Sequence, residues 1–108
     1  MPELKKDARL KDFQIYVSKL ELERNFAKQS VKDKCLLLGE EVGELFKAVR
    51  KIDGIAIDPL SKTSDLEGEI ADIFIYLCSI ANRFDIDIEK AFLNKEEKNK
   101  KRTWIISQ

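Results

Sequence analysis

Two short runs hold the side chains best able to do chemistry. GEEVGEL, Gly39 to Leu45, carries Glu40, Glu41 and Glu44, and GEIADIF, Gly68 to Phe74, carries Glu69 and Asp72. Residues three and four apart on a helix share a face, so Glu41 and Glu44 project together, and Glu40 reaches the edge of that face through its spacing of four to Glu44. Glu69 and Asp72 repeat the spacing of three. Both runs lie in apolar sequence: CLLL precedes the first and LFKAV closes it, while Asp72 leads directly into IFIYL. Like charges so placed repel one another, and they are costly beside Leu36, Leu37, Leu38 and Leu45 unless something cationic compensates. Two helices packed antiparallel would bring both acidic pairs around one volume.

An all-oxygen donor set selects a hard divalent cation. Mg²⁺ suits a site shared with phosphate oxygens and water, with Mn²⁺ as a substitute. Such an ion can hold a triphosphate and stabilise charge on a leaving pyrophosphate. The plain alternative is a solvated helix face paired with lysine at four, which Lys47 and Ala48 after Glu44 leave open. Two acidic pairs, both embedded in apolar helical runs and joined by a breaker loop, favour the metal site. The chain contains no histidine. That excludes Ser-His-Asp and Cys-His nucleophile systems, His-containing zinc sites and the Glu-x-x-His di-iron site.

The elements that must position these acids follow from periodicity. Leu10, Phe13, Val17 and Leu20 recur at three and four and predict a helix from about Asp7 to Asn25. Ser30 with Asp33 marks the start of a second, Val31 to about Lys51, closed by Asp53-Gly54. Lys51 to Thr63, with Gly54 and Pro59, reads as a loop placed to fold over a site. Ser64 with Glu67 forms a capping box for a third helix, Asp65 to about Phe84, whose run IFIYLCSIA predicts the most buried element. Asp87 caps a fourth, Ile88 to about Arg102, with Ile88, Ala91 and Phe92 inward. The class is all-α, a four-helix bundle forming one domain over residues 1–108. Phe13, Phe26, Phe46, Phe74, Phe84 and Phe92 are core candidates, and Gly39 and Gly43 are read as permitting close helix packing. Cys35 and Cys78, both in apolar helical segments, are expected as buried, reduced thiols.

Twenty basic and twenty acidic residues cancel, giving no general pull toward nucleic acid or an anionic membrane. No apolar run approaches the roughly 20 residues that cross a bilayer, and MPELKKDARLKDF lacks the apolar core of a signal peptide, so a cytoplasmic location is expected. A chain this short buries a modest share of its surface, and an apolar third helix needs more cover than three neighbours give. A homodimer or homotetramer is therefore expected.

The order Glu-Glu-x-x-Glu at Glu40, Glu41 and Glu44, then Glu-x-x-Asp at Glu69 and Asp72, resembles the all-α nucleoside triphosphate pyrophosphohydrolases of the MazG type. The flanks LLLGEEVGEL and EIADIFIYL are similar as well, and the resemblance covers roughly Leu10 to Trp104. It implies that Glu41, Glu44, Glu69 and Asp72 are Mg²⁺ ligands, and that Glu40 serves a further metal or orients the attacking water. It also implies that Lys95, Asn99 and Arg102, matching the family's Lys-x-x-x-Asn-x-x-Arg, bind the phosphate chain. Their spacing of four and three would line one helical face, although KEEKNKKR also suits a solvated helix C-terminus. Tyr76, four after Asp72, is a packing residue or a ligand contact. The expected activity is Mg²⁺-dependent hydrolysis of a nucleoside triphosphate to monophosphate and pyrophosphate, clearing surplus or non-canonical nucleotides. The alternatives are a pyrophosphatase specific for dUTP or dCTP or for phosphoribosyl-ATP, and a non-catalytic helical dimerisation module. Where relatives place a base-contacting aromatic, the loop here carries Ile52, Ile55, Ile57 and Leu60.

Overall fold

The computed structural model describes residues 2–54 and 65–103. Four helices follow in order: α1 Leu10–Glu23, α2 Val31–Ile52, α3 Leu66–Arg83 and α4 Ile88–Lys100. No strand occurs among the described residues, so the class is all-α.

Helix ends are written in short polar side chains. Ser30 Oγ accepts the Asp33 N–H at 3.1 Å and Asp33 returns the bond to the Ser30 N–H at 3.0 Å, a reciprocal cap that opens α2. Asp87 caps α4 through the Lys90 N–H at 3.1 Å. Three expectations about ends are corrected. α1 begins at Leu10 rather than Asp7, because the Arg9 N–H is held by Asp12 Oδ2 at 2.8 Å. α3 begins at Leu66 rather than Asp65, which is its cap: Asp65 Oδ1 accepts the Gly68 N–H at 2.6 Å. A Cβ at position 68 would lie 2.5 Å from that oxygen, so glycine leaves the cap its room. α4 stops at Lys100, which puts Arg102 past the last turn and off any continuous helical face with Lys95 and Asn99. Ser64 and the expected loop from Ile55 to Thr63 lie outside the described residues.

α2 and α3 form the principal pair, α1 packs on α3, and α4 rests on α1. Val17 and Leu20 of α1 meet Cys78 of α3 in the core, with Phe13, Tyr16, Phe74, Ile75 and Ile88 packed around them. Phe13 and Phe74 meet edge to face at 5.9 Å. Gln14 joins three elements at once. Its Nε2 donates to Asn82 Oδ1 at 3.1 Å and to the Ile86 carbonyl at 2.8 Å, and its Oε1 accepts the Ile88 N–H at 2.9 Å. The turn between α3 and α4 passes through Asp85 in the left-handed region, φ 54°.

The apolar residues are less covered than the sequence suggests. α3 is central, yet Ile70 and Leu77 are exposed, because α1 and α2 occupy only two of its sides. Of the six phenylalanines, Phe26, Phe46, Phe84 and Phe92 are exposed. Cys78 is buried, its thiol pushed up to about 11 by burial, but Cys35 is exposed on the outer side of α2. Among the described residues no atom lies near enough to Gly39 or Gly43 to need a missing Cβ.

Candidate functional site

α2 and α3 run antiparallel: Glu41 meets Glu69 and Asp72, while Lys34 lies near Tyr76 and the Gln29 carbonyl accepts from Arg83 at 2.6 Å. The two acidic runs therefore fall at the same level. Glu41, Glu69 and Asp72 each present one carboxylate oxygen, and these oxygens all lie within 4.8 Å of one another. Glu69 is buried, Glu41 half-buried and Asp72 exposed. Glu44 follows one turn on and is half-buried; its charge reaches Glu41, but its oxygen is not in the close set. Glu40 is exposed on the neighbouring edge.

The electrostatics expose the conflict inside this cluster. The Glu41 carboxyl is pushed up to about 7, first by a hydrogen bond shared with Glu69, then by burial and by the charges of Glu69, Asp72 and Glu44. A proton is held between two carboxylates because both cannot ionise cheaply at that separation. A divalent cation would relieve the same repulsion, and the oxygen-only donor set fits a hard ion. Tyr76 is half-buried, with its hydroxyl pushed up by burial and by Glu41, Asp72 and Glu40.

A cavity of about 370 Å³ opens beside the cluster and is lined by both Glu41 and Asp72. Tyr76, Phe26, Lys34 and Ser79 line it further along. Lys34 precedes Glu41 by seven residues and Ser79 follows Asp72 by seven, so the cavity runs about 10 Å along the helix pair. Beside it lies a buried ionic cluster: Glu21 Oε2 is 3.4 Å from Lys34 Nζ and 3.2 Å from Arg83 Nη2. The Lys34 ammonium also sits 5.4 Å from the ring centre of Phe26 and 5.9 Å from that of Tyr76.

Of the residues singled out in the sequence, the structure brings together Glu41, Glu69 and Asp72, with Glu44 and Tyr76 adjacent. Lys95 and Arg102 are exposed and Asn99 is half-buried. All three belong to the α4 region, which packs on α1, and none lines the cavity. Sequence reasoning passed over Glu21, Lys34 and Ser79. Lys34 and Ser79 had a readable signal, since each falls on the acidic face at a heptad's distance; Glu21 had none.

A family model described as the MazG nucleotide pyrophosphohydrolase domain matches residues 29–104. The chain belongs to this family. The match runs from just before α2 to just past α4, so it contains both acidic runs of this MazG domain. The three residues that converge in space, Glu41, Glu69 and Asp72, are among the five that carried the resemblance in the sequence. A search of the curated proteins finds no match. No helix among the described residues is long and apolar enough to cross a membrane.

Proposed function

We propose that this MazG domain hydrolyses a nucleoside triphosphate to the monophosphate and pyrophosphate with the help of Mg²⁺, or Mn²⁺ in its place, clearing surplus nucleotides from the cytoplasmic pool. The observation that carries the reading is the convergence of Glu41, Glu69 and Asp72 from antiparallel helices at the edge of a cavity of nucleoside size. Glu41, Glu69 and Asp72, joined by Glu44, would hold the cation. When bound, it supplies positive charge to the phosphate oxygens and makes an attacking water more acidic. Glu40 orients that water and, with its neighbours, receives the proton it loses. The water oxygen bonds to the α phosphorus and pyrophosphate departs with the electron pair of the broken α–β anhydride bond, or it bonds to the β phosphorus and the monophosphate departs with that pair, the water oxygen then staying in the pyrophosphate. Tyr76 contacts the nucleoside from within the cavity. Lys95, Asn99 and Arg102 bind the phosphate chain, Arg102 through its forked donors and Lys95 as a point charge. Because α4 stands away from the cavity of its own chain, we assign these three to the assembled homodimer or homotetramer, where another subunit's cavity can lie within their reach.

The test is incubation with each triphosphate and Mg²⁺. Equimolar monophosphate and pyrophosphate are expected, and changing Glu41 and Asp72 together to alanine should lower the rate by about 100-fold or more. Release of orthophosphate alone, or undiminished turnover in the double variant, would refute the reading.

A further inference from the structure

We infer that the buried end of the cavity is a nucleobase pocket in which Lys34, Glu21 and Ser79 determine which base the protein accepts. The inference rests on the triphosphate reading above and adds to it the residues that choose the substrate.

Three observations point to a ligand with a polar edge. The first is Ser79. It is 2 % exposed, it lines the cavity, and its Oγ has no hydrogen-bond partner among the described residues. A hydroxyl stripped of water and given nothing in return calls for a partner that arrives from outside. The second is Lys34, also 2 % exposed and lining the cavity. Its ammonium has three donors, and its one ionic partner among the described residues is Glu21, whose Oε2 is already shared with Arg83. The third is distance. Lys34 and Ser79 stand about 10 Å along their helices from Glu41 and Asp72, which leaves the length of a sugar between a phosphate chain at the carboxylates and a ring at the buried end.

A nucleobase meets all three. Its edge sets acceptors beside N–H donors, and the pocket offers a donor in Lys34, an acceptor in the Glu21 carboxylate that Lys34 and Arg83 pair with, and Ser79, which can do either. Phe26 and Tyr76 add aromatic faces for a flat ring. A phosphate group offers acceptors alone, so it could satisfy Lys34 but has no N–H to give Glu21. A site built to hydrogen-bond a ligand discriminates sharply, since the wrong edge leaves its buried groups unpaired.

The experiment compares kcat/KM for the four deoxynucleoside triphosphates and for an abasic deoxyribose triphosphate in the wild type, Ser79→Ala and Lys34→Met. The wild type should favour its best base over the abasic compound by about tenfold or more. Ser79→Ala loses no internal hydrogen bond, so its Tm should hold or rise. Its kcat/KM for the best base should nonetheless fall about fivefold, mainly through KM, with an altered order of bases. Lys34→Met should narrow the spread between bases further; if it fails to fold, Ser79→Ala decides alone. An unchanged order in Ser79→Ala, or an abasic compound cleaved as fast as the best base, overturns the pocket while leaving the hydrolase reading intact. If no triphosphate is cleaved, that reading has failed, and calorimetry with the four deoxynucleosides judges the pocket separately. Binding that Ser79→Ala weakens upholds it, and the absence of binding overturns it.

Discussion

At Glu41 a proton and a divalent cation compete for the same oxygens. Its carboxyl stands at about 7 in the folded chain against 4.5 ordinarily, so the folded state holds this proton more tightly than the unfolded chain does. The stability it contributes is full below about 4.5 and is lost as pH rises through about 7. Without divalent cations, Tm should therefore fall over that window, and Mg²⁺ should restore it at the alkaline side. Glu41→Gln, which keeps a hydrogen bond to Glu69 but carries no charge, should flatten the pH profile and abolish the Mg²⁺-dependent rise; thermal melts from pH 4.5 to 8 with chelator or Mg²⁺ check both. The acids of this site were legible in the sequence because the helical repeat alone puts Glu69 and Asp72 on one face, and apolar neighbours mark that face as inward. Glu21 was not legible. Its partner Arg83 lies 62 residues away, and only the completed packing of three helices brings the two together.

Among the elements, α2 shows what a local pattern can and cannot say. Its start at Ser30 and its end at Asp53-Gly54 are readable because caps act over three or four residues, and Gly54, at φ 79°, takes the left-handed conformation that favours glycine. Gly39 and Gly43 depart from the expectation of close packing, since small residues suggest a close neighbour and the described residues place none there. In a helix interior facing open space, each glycine costs about 0.8–1.0 kcal/mol relative to alanine. Gly39→Ala and Gly43→Ala should each raise stability by about that amount in urea unfolding. A loss of stability instead would mean that another chain presses on that face. α4 was readable at its capped start but not at its end, where a run of lysines favours the helix terminus without fixing the last residue.

For the whole molecule, the exposed apolar residues and the overall size agree. The radius of gyration is 17.1 Å, against about 13 Å for a compact chain of this length. Phe46, Ile52, Ile70, Leu77, Phe84 and Phe92 are all exposed, apolar side chains that a second subunit would cover. Sedimentation at micromolar concentration should give a dimer or tetramer, and a stable monomer would contradict the proposed assembly. The exposure of these residues could not be read from the sequence, because an apolar residue looks the same whether its cover comes from its own chain or from another. The Glu21 cluster has one more consequence. Glu21, Lys34 and Arg83 join α1, α2 and α3 by opposite charges, while one cavity-length away Glu41, Glu69 and Asp72 set like charges close together across α2 and α3. Charge thus fastens the helix pair at one level and strains it at another, so loosening of the strained level should pivot at the Glu21 level. Amide exchange in chelator should quicken in residues 38–45 and stay slow in residues 79–83, with Mg²⁺ closing the gap; equal quickening at both ends would remove the pivot.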